Sequence, residues 1–221
     1  MVYDNSIERI IAPPLECLPF IEEVRKESAA QKTLTALSTS DPMIQAILAT
    51  GKDNFINSGG YSRVYVLDSL RVIKFCWDLP SLKIMERLGT QSRYFPRVDL
   101  VLEAQARDGN VIYHAAIVER LHEGYPVWMR SLIDGYRHPF RADTPFFANG
   151  RLLQMSSMIL AGNIVVPPAE VQDLAAAMRL LAKECLENGC LADLRTEFNI
   201  MIRPGGQAVI ADPTHPIIRN S

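Results

Sequence analysis

Three polar side chains near the C-terminal end of the chain could do chemistry: Asp193, Asn199 and Asp212. They stand in Asp193-Leu-Arg195-Thr-Glu-Phe-Asn199-Ile-Met-Ile and, after a turn, in Ala-Val-Ile-Ala-Asp212-Pro213-Thr. An acid, a nearby Asn and a second acid closing a short apolar strand are the minimal set for divalent-metal phosphoryl transfer. One acid orients a hydroxyl nucleophile, while the Asn and the second acid hold Mg²⁺ against the phosphates of ATP. The pattern gains force when a phosphate-covering loop and a strand lysine lie well upstream.

Both features are present. The segment Asn57-Ser58-Gly59-Gly60-Tyr61-Ser62-Arg63-Val64 lies between two predicted strands. Glycines there let backbone N–H groups approach phosphate oxygens, with Tyr61 capping the loop. A Gly-Gly between strands is also the mark of an ordinary turn. Further on, Lys74 occupies the middle of the apolar run Arg71-Val72-Ile73-Lys74-Phe75-Cys76. A lysine so flanked is either an edge-strand charge or a buried cation with an anionic partner. A phosphate, together with a carboxylate such as Glu86 on the next helix, would supply that partner.

The elements that must position these groups follow from the hydrophobic pattern. Residues 1–53 read as helical, with one helix across Phe20, Ile21, Val24, Leu34 and Leu37. A second starts at Asp41-Pro42, an N-cap followed by proline at the first helical position, and ends before Gly51. Strands are predicted over 64–67 and 71–76 with a turn at Asp68-Ser69, then a short helix over 81–88. Strands over 98–104 and 111–118 follow, joined by Arg107-Asp108-Gly109-Asn110. Residues 122–168 are interrupted by Pro126, Pro139, Pro145, Pro167 and Pro168, and predict only short helices and loops. Pro168 then opens a helix with the stripe Val171, Leu174, Met178, Leu181 and Cys185, stopped by Asn188-Gly189. A hairpin turned by Pro204-Gly205-Gly206 carries the terminal acids.

At 221 residues the chain fits one domain, or one domain in two lobes, and 48% hydrophobic content is ordinary for a sizeable core. The formal charge of −2 gives no electrostatic case for a nucleic-acid or anionic-membrane partner. No apolar run approaches the roughly 20 residues that span a bilayer, and the first residues lack the pattern of a signal peptide. Cys17, Cys76, Cys185 and Cys190 have neither CxxC spacing nor disulfide-rich density, so reduced thiols in a cytosolic protein are expected. The four histidines, His114 and His215 among them, are too scattered to suggest zinc.

In this order the motifs resemble the protein-kinase fold, and in particular the early-gene serine/threonine kinases of short-tailed lytic coliphages. The likeness rests on Ser62 at the third glycine position of the loop, Arg71-Val-Ile-Lys74, Val118-Glu119-Arg120-Leu121, Asn199-Ile-Met and Asp212-Pro213. It covers roughly residues 54–214 and implies a two-lobed α+β fold. Residues 1–53 would be a helical extension, 54–121 an N-lobe with antiparallel sheet and helix and a hinge at 118–121, and 122–221 a reduced helical C-lobe.

The resemblance also implies roles. Ser58, Gly59, Gly60, Tyr61 and Ser62 would cover the phosphates, and Lys74, paired with Glu86, would contact two of them. Backbone groups of Glu119 and Leu121 would bind adenine. Asp193 would orient the substrate hydroxyl, Arg195 would face the γ-phosphate, and Asn199 and Asp212 would ligate Mg²⁺. The expected activity is ATP/Mg²⁺-dependent phosphorylation of Ser or Thr in host bacterial proteins, with autophosphorylation, in the host cytoplasm. The alternatives are a nucleotide-binding pseudokinase or interaction module, and a small-molecule phosphotransferase. Asp193 and Asn199 are six residues apart, one more than the family's usual step, and Leu191-Ala192 replaces its His-Arg. With nine residues after Asp212, substrate is expected to be held by the N-terminal helices, by residues 122–168 or by the target itself.

Overall fold

A strand that is apolar on both faces must be covered on both, and this requirement organises the first half of the chain. The computed structural model describes residues 39–49, 55–58, 62–108, 111–137, 145–194 and 199–215. Its largest sheet contains β1 (Phe55–Ser58), β2 (Ser62–Val66), β3 (Arg71–Cys76), β4 (Val98–Asp108) and β5 (Val111–Glu119). All neighbours are antiparallel, in the order β1-β2-β3-β5-β4.

β3 is central and buried from Val72 to Cys76. Its Ile73 and Phe75 pack with Tyr65, Ala106 and Ala115 under Ile44 of helix α1 (Pro42–Ala49). On the opposite face Val72 and Cys76 pack with Ala116 and Val118 against Leu82 and Met85 of helix α2 (Leu79–Gln91).

Local chemistry accounts for the boundaries. The Ile44 N–H donates to Asp41 Oδ1 at 2.9 Å, the N-cap bond expected where Asp precedes Pro42. Between β2 and β3, Asp68 Oδ1 accepts from the N–H groups of Leu70 and Arg71, each at 2.8 Å, which closes the predicted turn. The helix predicted across residues 20–37 lies outside the described residues.

α2 serves two cores. Leu82 and Met85 face the sheet, while Ile84 and Leu88 join Tyr94 and Phe95 in a second cluster with α3 (Val127–Arg137), α4 (Pro145–Leu160) and α5 (Val171–Asn188). Arg87 ties α2 to α5, donating through Nη2 at 2.7 Å and Nε at 3.1 Å to the buried Glu184.

The region without a sequence assignment thus holds two helices, one of them 16 residues long. Pro145 begins α4 as a first-turn proline can. Its buried stripe of Leu152, Met155 and Ile159 is blurred by Leu153 and Leu160, apolar residues that face solvent instead. A hydroxyl helps hold α4 to α5: Ser156 Oγ donates to the Ala175 carbonyl at 2.8 Å and accepts from Arg179 at 2.9 Å.

α5 starts at Val171 rather than Pro168, because Glu170 N–H bonds back to the Pro167 carbonyl at 2.8 Å and makes residues 167–170 a turn. At its other end Gly189 is left-handed at φ 63°, and Cys190 N–H donates to the Cys185 carbonyl at 3.0 Å. That is a Schellman stop, whose usual apolar contact is made here by the side chains of Cys185 and Cys190.

Two small sheets complete the fold of the described residues. β6 (His122–Glu123), β8 (Ile200–Ile202) and β9 (Ala208–Ile210) form one in the order β6-β8-β9, and β7 (Leu191–Ala192) pairs with β10 (Thr214–His215) in the other. The β8–β9 turn needs positive φ at Gly205 (99°) and Gly206 (87°), which glycine adopts freely. The chain is mixed α+β with antiparallel sheets. Among the described residues no helix is long and apolar enough to cross a membrane.

Gly89 tests the packing around α2. A Cβ there would lie 2.0 Å from the Pro96 carbonyl oxygen, a backbone atom. Alanine favours a helix over glycine by about 1 kcal/mol, but this overlap should cost more, roughly 1–3 kcal/mol. Gly89→Ala is therefore expected to lower the urea unfolding midpoint. A midpoint at or above wild type would contradict the close approach of α2 to Pro96.

Candidate active site

Lys74 is the only cation on the apolar run of β3 beyond its first residue, and only 8% of it is exposed. Val64 on β2 and Ala116 on β5 stand opposite it across the sheet, so its side chain leaves the face that α2 partly covers. A buried ammonium needs an anion. Its Nζ lies 3.1 Å from Oδ1 of Asp212, whose side chain is 43% exposed. The carboxylate at Lys74 is thus Asp212 and not the Glu86 expected from the sequence. Glu86 is half-buried on α2. Asp212 reaches the strand because Ile210 N–H donates to the Tyr94 carbonyl at 2.7 Å, drawing the end of β9 to the loop after α2.

Three further hydrogen bonds join the acids and the Asn into one unit. Asp193 N–H donates to the Pro213 carbonyl at 2.9 Å, continuing the β7–β10 pairing of Thr214 with Ala192. Ala211 N–H donates to the Asn199 carbonyl at 2.7 Å, at the mouth of the β8–β9 hairpin. Asn199 Nδ2 then donates to the Asp193 carbonyl at 2.9 Å, which turns the amide so that Oδ1 is its remaining acceptor. Tyr136 of α3 braces the same stretch, donating its hydroxyl to the Ala192 carbonyl at 3.0 Å.

Electrostatics beside the ion pair follow from burial. Cys76 shares the face of Lys74, and its thiol is pushed up to about 11, chiefly by burial. Lys74 pulls it down while Asp212 and Asp78 push it up. Cys76 is therefore a neutral packing residue at ordinary pH.

The other sequence-derived positions fall as follows. Ser58 and Ser62 belong to the strands themselves, Ser58 pairing with Arg63 and Ser62 with Cys76, so the connection between β1 and β2 is residues 59–61. Gly59, Gly60, Tyr61 and Arg195 lie outside the described residues. Glu119 ends β5, and its N–H donates to the Arg97 carbonyl at 2.9 Å. Leu121 is half-buried between β5 and β6. Sequence reading missed Arg203, which grips the Glu119 carboxylate with Nη2 at 2.6 Å and Nε at 2.9 Å. Standing just before Pro204-Gly205-Gly206, it reads as a turn residue, and no local signal marks its partner.

Among the described residues, no three or more His, Cys, Asp or Glu side chains come together as a metal-holding group. The polar groups that the strand pairing brings together are Asp193, Asn199 and Asp212, with Lys74 paired to Asp212. No protein-family model and no curated protein matches the chain.

The unequal exposure of the ion pair predicts an unequal response. Asp212→Asn strands a buried ammonium and should cost about 1–3 kcal/mol of unfolding free energy. Lys74→Met leaves a carboxylate that water already reaches and should cost less. Urea denaturation of both variants measures this, and the reverse order would place the burial on the wrong partner.

Proposed function

We propose that this chain is a compact, two-lobed kinase-like phosphotransferase that moves the γ-phosphoryl group of ATP to a serine or threonine hydroxyl of a protein. The observation that carries this reading is the meeting of Lys74 with Asp212 at 3.1 Å, beside an Asn199 whose amide is anchored on the Asp193 carbonyl. Groups from widely separated stretches thus form one constellation of the kind that phosphoryl transfer uses.

Each group has a role suited to its setting. Lys74 presents a held positive charge to phosphate oxygens, and the half-buried Val64 opposite it on β2 would offer a base an apolar surface; Val72, Ala116 and Val118 are already covered by α2. The linker at Glu119–Leu121 leaves the sheet at the end of β5, directly after Val118. Asn199 and Asp212 would hold Mg²⁺, an ion that commonly takes one or two protein oxygens and fills its shell with water and phosphate. The small set of oxygens here fits that habit better than a closed cage would. When bound, the metal supplies charge neutralisation of the phosphates. Asp193 would orient the substrate hydroxyl and accept its proton. Following the resemblance, the substrates would be host bacterial proteins and the chain itself, in the host cytoplasm.

The test is incubation with labelled ATP and Mg²⁺, alone and with bacterial lysate, beside Asp212→Ala. Label should appear on protein and fall by roughly two orders of magnitude in the variant. Retained ATP binding without any label would instead favour a nucleotide-binding module. Label confined to small molecules would favour a small-molecule phosphotransferase.

A further inference from the structure

Arg203 is the most completely engaged cation among the described residues, and no step proposed above uses it. Its Nε donates to both Glu119 carboxylate oxygens, at 3.1 and 2.9 Å, and Nη2 donates to Glu119 Oε1 at 2.6 Å. Nη2 also reaches the Phe95 carbonyl at 2.9 Å, and Nη1 the Gln207 side chain at 3.1 Å and the Arg93 carbonyl. All the N–H donors of the guanidinium therefore have partners. Little of the pair meets water, the Arg203 side chain being 12% exposed and that of Glu119 16%. Glu119 is held from a further side, since its Oε1 accepts the Arg97 N–H at 2.8 Å. The next residue is fixed too, with Arg120 N–H donating to the Leu70 carbonyl at 2.7 Å.

The position of this clamp matters more than its strength. Arg203 follows β8 directly, on the hairpin that has Asn199 before it and Asp212 after it. Glu119 ends β5 and leads into β6, whose His122 and Glu123 pair with Ile202 and Met201 of β8. The guanidinium thus fixes the offset between the linker at residues 119–121 and the hairpin whose ends carry the would-be metal ligands.

We propose that Arg203 is a positioning residue for the nucleotide base, acting through Glu119 to set the linker against the rest of the site. This inference rests on the nucleotide reading above. Lysine cannot substitute for Arg203: a point charge with three donors cannot span a carboxylate and two carbonyls at once. Loss of the clamp displaces the base-binding linker while leaving Lys74, Asn199 and Asp212 to hold phosphates.

The test compares ATP with inorganic triphosphate, both with Mg²⁺, by titration calorimetry on the whole chain and on Arg203→Lys, with folding checked by circular dichroism. Arg203→Lys should weaken ATP by about tenfold and leave triphosphate unchanged. A folded Arg203→Lys that binds ATP as wild type does, or weakens both ligands equally, overturns the inference. If Arg203→Lys does not fold, Glu119→Gln, which keeps the shape and removes the charge, should show the same contrast, and its absence likewise overturns it. Wild-type chain that binds neither ligand overturns the nucleotide reading itself, and this inference with it.

Discussion

A lysine in the middle of a buried strand sets the terms for the whole molecule. Desolvating the Lys74 ammonium without compensation would cost several kcal/mol, so the fold must deliver an anion to it. Asp212 is that anion, and it comes from the far end of the described chain. To reach β3 the C-terminal segment has to be laid beside the loop after α2, and the bond from Ile210 to the Tyr94 carbonyl does this. To stay there it is paired with β7, through Thr214 and Ala192 and through Asp193 and Pro213. Asp193 lies beside Asp212 through that pairing, and Asn199 through the mouth of the β8–β9 hairpin, where its carbonyl accepts from Ala211 and its amide donates to Asp193.

Besides the pairs of Arg93 with Glu170 and Asp173, two other ion pairs among the described residues join the sheet half to the helical half, and they differ in kind. Arg87 and Glu184 hold α2 to α5 with a half-exposed arginine and a buried carboxylate. Arg203 and Glu119 hold the end of β5 to the β8–β9 hairpin, with both partners largely dry. A pair of the second kind is geometrically demanding, since a misplaced buried carboxylate has no water to fall back on. The first kind differs on the arginine side alone: Glu184 is as dry as Glu119, and only the Arg87 guanidinium has water within reach. Between these attachments the Lys74–Asp212 contact keeps one side open to solvent.

Much of this was legible along the chain wherever the signal is local. β3 and the β4–β5 hairpin follow from runs of β-branched residues bounded by turn chemistry. The end of α5 follows from Gly189, and the start of α1 from Asp41-Pro42. α4 was not legible, because exposed Leu153 and Leu160 obscure its buried stripe, and Pro145 reads as an interruption when it is in fact a beginning. The partner of Lys74 was misread for a different reason. Glu86 is near in sequence, whereas Asp212 is brought near only by the strand pairing at the other end. Arg203 illustrates the same limit: its partners lie at Arg93, Phe95 and Glu119, and nothing around residue 203 announces them.

The pairing of β7 with β10 is two residues long, short enough that its length alone does little to penalise a slip of one position. Pro213 removes that freedom. Having no N–H, it can accept from Asp193 but cannot donate to a shifted partner, so the ladder closes in one phase. Its ring also disfavours a helical backbone at the preceding residue, so Asp212 samples fewer conformations even before the chain folds. The proline thus lowers the entropy that must be given up to hold the carboxylate beside Lys74, a contribution made in the unfolded chain and invisible among the contacts of the folded one.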